Sequence, residues 1–245
     1  MLKKTIATTI LAGVITFVTF GAVKTVSAAQ DQFVHGYGSQ SSPGAYGQSI
    51  DPASRMALLP TGELSEAEEE ALLFMREEEK LAHDVYIFLY KKWGLGIFQN
   101  IANSEQTHAD TIAMLLERYN LSDPASATAG IFTNPDLQVL YTQLTAKGSQ
   151  SLADALKVGG LIEEVDIRDL KSSLAEADNA DIQQVFTNLL NGSYNHLLAF
   201  SSTFTRQTGE TYQPQVLSLE DYQSITSGSS VNGSQVQGQR GRRGF

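Results

Sequence analysis

The chain has 245 residues, 42% of them hydrophobic, with 17 basic and 27 acidic residues and a formal net charge of −10. That is enough chain for one sizeable core, and its acidity argues against nonspecific nucleic-acid binding while favouring cations. There is no cysteine, so disulfides, thiolate zinc, iron–sulfur clusters and cysteine nucleophiles are excluded; a metal here can use only carboxylate, imidazole, carbonyl, hydroxyl or phenolate.

The N-terminus reads as a targeting segment. Lys3 and Lys4 form a basic start, residues 5–23 are apolar with small side chains, and Val26-Ser27-Ala28-Ala29 is a small-x-small cleavage pattern. Residues 1–29 are therefore expected to act as a signal peptide, and the protein to be exported. The alternative is an uncleaved single-pass anchor, which Lys24 interrupts. Loss of Lys3, Lys4 and Lys24 leaves 14 basic residues against 27 acidic ones, a net of −13. Residues 30–63 are rich in Gln, Ser, Gly and Pro and read as a flexible linker, with His35 a solvated loop residue.

Helical patterning begins at Ser65, which forms a capping box with Glu68. The first helix runs to about Trp93, before Gly94 and Gly96. Its buried stripes contain Glu78 and Glu79 among Leu72, Met75, Ala82, Tyr86 and Leu89, whereas Glu77, Lys80 and Asp84 fall on the outer face. The second helix spans 98–120, with a stripe of Phe98, Ile101, Glu105, His108, Ile112 and Leu115. The connection between them is about four residues, so they are antiparallel neighbours. A link of about 30 residues follows, with a short helix expected from Asn134-Pro135 to about residue 146.

The third long helix, 152–176, is capped by Ser151 and carries Leu156, Gly160, Glu163, Ile167 and Leu170 on one face. Gly159 and Gly160 weaken it by about 1 kcal/mol each against Ala, which close packing or a kink would explain. The fourth starts between Asp178 and Asp181 and ends near Arg206, with Ile182, Val185, Leu189, Ser193, His196 and Phe200 in one row. None of the six prolines falls inside these four helices. Residues 210–223 read as a docked irregular or strand-like arm, and 224–245 as disordered, with a basic tip at Arg240, Arg242 and Arg243.

Each long helix thus buries a ligand-type side chain. Burying such groups without partners would cost several kcal/mol, and a cation would compensate. In an antiparallel hairpin, residues at equal height are equidistant from the turn. Glu163 and His196 centre on the third–fourth turn, and Glu79 and Glu105 centre within three residues of the first–second turn, about 4.5 Å of rise. All the ligand-type residues therefore lie near mid-bundle. Inward Glu side chains with Glu-x-x-His make up the plan of di-iron and di-manganese bundles. The expected metal ligands are Glu79, Glu105, His108, Glu163 and His196, with Glu78, Glu164 and Asp166 in reserve; iron is the expected cofactor, with manganese or zinc as alternatives. Tyr86, seven residues after Glu79 on the same face, is either an electron relay or a core tyrosine with one hydrogen bond. Metal ions are the expected partners, with a homodimer as the candidate assembly; no nucleic acid and no stable membrane insertion after signal cleavage are expected.

The segments Glu77-Glu78-Glu79-Lys80-Leu81-Ala82, Ser104-Glu105-Gln106-Thr107-His108, Ile162-Glu163-Glu164-Val165-Asp166-Ile167 and Gly192-Ser193-Tyr194-Asn195-His196-Leu197 resemble the ferritin-like superfamily. More closely, they resemble the prokaryotic ferritin-like family called domain of unknown function 2202. The resemblance covers residues 64–206. It implies an all-α, ferritin-like four-helix bundle over 64–209, with a long crossover between the second and third helices and flexible arms at both ends. It also implies a carboxylate-bridged metal pair, with ferroxidase or peroxide-scavenging chemistry, or else a non-enzymatic metal-binding or surface-associated role. One residue departs from the superfamily pattern: Ser193 stands where the fourth helix should begin Glu-x-x-His. Either Asp166 or Glu164 substitutes, or the second ion is weakly held, or the site is mononuclear.

Overall fold

The computed structural model describes residues 59–231, with side chains to 227; the expected signal peptide, most of the linker and the basic tip lie outside them. Six helices and no strand occur among the described residues: α1 Glu66–Trp93, α2 Gly96–Arg118, α3 Pro135–Gly148, α4 Leu152–Glu176, α5 Ala180–Thr208 and α6 Leu219–Val231. None is long and apolar enough to cross a membrane.

Helix α1 starts where the Ser65 hydroxyl takes the Glu68 amide while the Glu68 carboxylate takes the Ser65 amide. Glu68 also accepts the backbone amides of Asp178 and Asn179 at 2.9 and 2.8 Å. Burial opposes ionisation of this carboxyl, but the amides outweigh it and hold its pKa low. The start of α1 is thereby pinned to the α4–α5 turn. Gly94 ends α1 in the left-handed region at φ 66°, which glycine adopts without strain. Two residues then separate α1 from α2, and three separate α4 from α5, so each pair is an antiparallel hairpin.

Helix α1 packs on α2 and α4, and α5 packs on α2 and α4. Trp93, at the end of α1, donates to the Gly148 carbonyl just before α4, at 2.9 Å. Arg118, at the end of α2, pairs with Asp181 at the start of α5, at 2.9 Å. Neighbours around the ring are therefore all antiparallel. It follows that α2 ends at the opposite end of the bundle from the start of α4, so residues 119–151 must travel its length. They do so along α1, with α3 seated on α1 and α4.

That path overturns one expectation. Glu77 and Asp84 do not face solvent; they are 3% and 6% exposed. Glu77 accepts the amides of Thr133 and Asn134, and Asp84 accepts the amide of Gly130 and pairs with Lys80. The link covers the face that the bundle alone would leave wet. Residues 59–63, the end of the expected linker, are tethered too: Arg118 donates to the Leu59 carbonyl, and Asn179 accepts the Gly62 amide at 2.8 Å. At the other end Leu219–Val231 is helical, against the expectation of an irregular or strand-like arm over 210–223 and disorder over 224–245. Ser218 caps the Asp221 amide, and Tyr222 packs on Tyr212.

Two apolar layers bracket the middle of the bundle. One contains Leu72, Met75, Ile112, Leu115, Leu170, Ile182 and Leu189. The other contains Tyr86, Phe98 and Phe200, with ring centroids 5.2–5.8 Å apart. Each such fully buried side chain stabilises the fold by about 1.5–3 kcal/mol. Gly159 and Gly160 show close packing rather than a kink: a Cβ there would meet the rings of Phe200 and Tyr212.

Candidate metal centre

Between the two layers the four long helices turn polar side chains inward. Glu79 comes from α1, Glu105 and His108 from α2, Glu163 from α4, and Ser193 and His196 from α5. The three glutamates are each 2% exposed, and His196 is 9% exposed. Glu105 lies between two imidazoles, with one oxygen 2.8 Å from His108 Nδ1 and the other 2.8 Å from His196 Nδ1. Glu79 is 3.4 Å from His108 Nδ1, and Glu163 is 3.4 Å from His196 Nδ1. The result is two matching triads, Glu79–Glu105–His108 and Glu105–Glu163–His196, sharing Glu105. Within each triad, one donor atom per residue lies within 4.8 Å of the others.

These contacts are close but poorly aligned for hydrogen bonding. Glu79 Oε1, Glu105 Oε1, His108 Nδ1 and His196 Nδ1 are buried without a hydrogen-bond partner, although native interiors seldom leave such atoms unpaired. The pull between them is chiefly electrostatic. Burial raises the Glu105 pKa, but the two imidazoles overcome this and lower it to about 2. Burial holds Glu79 up at about 8, offset only in part by His108. Glu163 is also raised, by burial and then by the charge of Glu105. Burial works against charging the histidines. Glu79 and Glu105 nevertheless hold His108 at about 11, and Glu163 and Glu105 hold His196 at about 10. Each imidazole is thus held in its charged form by the carboxylates beside it.

Neighbouring groups fix the ligand-type side chains. The Ser104 hydroxyl lies 3.0 Å from His196 Nε2, leaving Nδ1 to face the carboxylates. The Tyr86 hydroxyl donates to Glu163 Oε1 in a short hydrogen bond and lies 3.3 Å from the Gly159 carbonyl. Gly192 leaves room for the other imidazole, since a Cβ there would lie 2.6 Å from His108 Cε1. Ser104 and Gly192 are not among the site residues expected from the sequence. The signal for Gly192 was a glycine inside a helix, one residue from a ligand row.

The reserve candidates divide. Glu164, fully buried, turns away from the centre: it accepts the Tyr212 hydroxyl at 2.6 Å and the amides of Gln215, Val216 and Leu217 at 2.6–2.9 Å. It anchors the C-terminal arm, so it does not substitute for the missing carboxylate. Asp166 is 6% exposed and takes a short hydrogen bond from Ser193, at the place where the fourth-helix carboxylate is absent. Glu78 and Asp166 line a small cavity together with Glu79, Ala82, Glu105, Ile162 and Glu163. Both have pKa values pushed well above the usual carboxylate range, by burial first and then by neighbouring carboxylates.

Fold and site together define an all-helical bundle with a buried glutamate–histidine cluster at its centre. The chain belongs to the family described as "Uncharacterized protein domain (DUF2202)", which matches residues 68–229. It is 49% identical over 176 residues to the uncharacterized protein MJ0754 of Methanocaldococcus jannaschii, covering 71% of this chain and 95% of that one. The crystal structure of that hypothetical protein is similar, with a TM-score of 0.67 and 50% identity over 69% of this chain and 97% of the other.

Proposed function

We propose that this protein is an exported, ferritin-like metalloprotein in which two Glu/His triads that share Glu105 would hold divalent ions. Iron is the first candidate, and manganese or zinc the alternatives. The observation that carries the reading is the pair of triads sharing Glu105, with buried Nδ1 and carboxylate atoms that find no hydrogen-bond partner. The donor set fits the group. Atoms that bind an ion at about 2.0–2.2 Å lie at most about 4.4 Å apart, so a spread within 4.8 Å needs only a few tenths of an ångström of contraction. All donors are nitrogen or oxygen, which suits iron, manganese and zinc. Two divalent ions would also replace the protons that the crowded carboxylates otherwise retain.

In this reading Glu79 and His108 would hold one ion, Glu163 and His196 the other, and Glu105 would serve both. Ser104 and Tyr86 orient His196 and Glu163, an outer-shell role typically worth ten- to a hundredfold in affinity. The Tyr86–Phe98–Phe200 layer and the opposite leucine-rich layer keep bulk water from the ends of the site. Bound redox-active ions would supply the electron transfer needed to oxidise Fe²⁺ with dioxygen or to remove peroxide. Helix order, the lengthwise link and the four mid-helix ligand rows support ferritin-likeness; the Lys3–Ala29 segment supports export.

A second reading is a non-enzymatic metal-binding domain, favoured by Ser193, which leaves Glu105 as the one bridging carboxylate. Elemental analysis of protein purified without chelators, followed by anaerobic Fe²⁺ loading and exposure to air, tests both. Two ions per chain and oxidation faster than free Fe²⁺ are expected. Glu105→Gln should bring the content below one ion per chain. Bound zinc with no iron oxidation selects the second reading, and no bound metal removes both.

A further inference from the structure

Two acidic side chains at mid-bundle are not used by the triads. Glu78 Oε2 and Asp166 Oδ1 are buried without a hydrogen-bond partner; their residues are 5% and 6% exposed and line the same cavity as Glu79, Glu105 and Glu163. They extend the centre on one side only. Asp166 lies three residues beyond Glu163 on α4, and Asp169 three beyond Asp166. Each three-residue step turns the row by about 60° around the helix and advances it about 4.5 Å. The row therefore winds from the core towards the surface. Glu163 is 2% exposed, whereas the Asp169 side chain is 17% exposed and bound to Arg168. From α1, Glu78 completes this acidic file; after burial, the charge of Asp169 is the strongest influence on it. The apolar layers above and below leave the flank between α1 and α4 as the acidic approach to the centre, and the partly exposed histidines lie on the α2–α5 flank.

We propose that Glu78 and Asp166, with Asp169 one turn further along α4, form a loading site where a divalent cation is held between α1 and α4 before it passes to the Glu105 centre. The inference rests on the metal reading of that centre. An orphaned oxygen on each of two residues lining a cavity of about 10 Å³ suits a cation held directly by two carboxylates. Weak holding is what transfer requires, because the inner triads add imidazole nitrogen and a shared carboxylate. The Ser193 hydroxyl, whose single proton serves either Asp166 or the Leu189 carbonyl, orients Asp166 without neutralising it. Arg168, held by Asp169 through two hydrogen bonds of 2.7 and 2.8 Å, leaves the inner two carboxylates free for the arriving ion.

The test uses chelator-stripped full chain and Co²⁺, followed by stopped-flow visible absorption, with elemental analysis at equilibrium. Glu78→Gln, Asp166→Asn and the double variant keep side-chain volume and remove the carboxylate donors. The expected result is two Co²⁺ per chain in every protein. Loading should slow at least about tenfold in the double variant, since the two carboxylate groups that hold the arriving ion are gone. Each single variant should fall between, which keeps the test available should the double variant fold poorly. Equal loading rates overturn the inference while leaving the centre intact. Loss of Co²⁺ at equilibrium from the variants also overturns it, by making these residues ligands of the centre. A wild-type chain that takes up no Co²⁺ removes the metal reading itself.

Discussion

Replacing Gly192 with alanine separates the proposed metal centre from the helix that carries it. Within a helix interior, alanine is better than glycine by about 1 kcal/mol, so on local grounds the variant gains stability. The new Cβ, however, would lie 2.6 Å from Cε1 and 2.7 Å from Nε2 of His108. The ring must recede by about 0.8 Å to reach ordinary contact at 3.4 Å. Metal–ligand distances tolerate about ±0.2 Å, so Nδ1 leaves its position beside Glu79 and Glu105. We expect about ten- to a hundredfold weaker binding at the His108 position, equal to about 1.4–2.7 kcal/mol of lost metal-linked stabilisation. In a domain of this size that is about 3–10 °C in melting temperature. Calorimetry with chelator and with excess Mn²⁺, combined with metal analysis, reads both effects. The rise in melting temperature on adding Mn²⁺ should be smaller in the variant than in wild type. Two ions per chain with an undiminished metal-dependent shift would falsify the assignment of His108 as a ligand.

The same centre sets a pH dependence in chelated protein. Glu79 at about 8 against an ordinary 4.5 means that the folded state binds the extra proton between those values, so stability falls as pH rises through that window. His108 and His196, at about 11 and about 10 against 6.5, continue the fall at higher pH. Glu105, at about 2 against 4.5, contributes stability that is present above 4.5 and lost as pH falls towards 2. The melting temperature of chelated protein should decline from pH 5 to pH 8, and that of loaded protein should not, because ions replace those protons; a rise in the chelated series refutes the reasoning. Glu164→Gln turns an acceptor of three backbone amides and a tyrosine hydroxyl into a partial donor. It should cost about 2–3 kcal/mol and expose the chain after Thr208 to protease, with metal content unchanged; loss of metal would place Glu164 in the centre after all.

The long helices were legible because each carries a periodic apolar stripe and a local stop or cap. Ser65 with Glu68, Gly94, Asn134-Pro135, Ser151 and Gly209 act within one turn of chain. The centre was legible for the same reason: Glu79, Glu105, His108, Glu163 and His196 interrupt apolar rows. The helix at the C-terminus was missed because Ser218 and Asp221 cap a stretch too polar to show a stripe.

What the sequence determined by itself is therefore which helices form, and which ligand-type side chains their apolar rows carry inward. Both follow from interactions a few residues apart. Only the tertiary structure decided the fate of the remaining acids. Glu77 and Asp84 look solvent-exposed on an isolated helix, yet the link between α2 and α4 covers them and supplies backbone amides. Glu164 looks equivalent to Glu163, yet the arm at Tyr212–Leu217 takes it out of the centre. Glu78 and Asp166 share no short-range pattern, and they meet in one cavity because α1 packs antiparallel to α4. A carboxylate's partner is set by contacts between residues tens of positions apart, and no local periodicity encodes those.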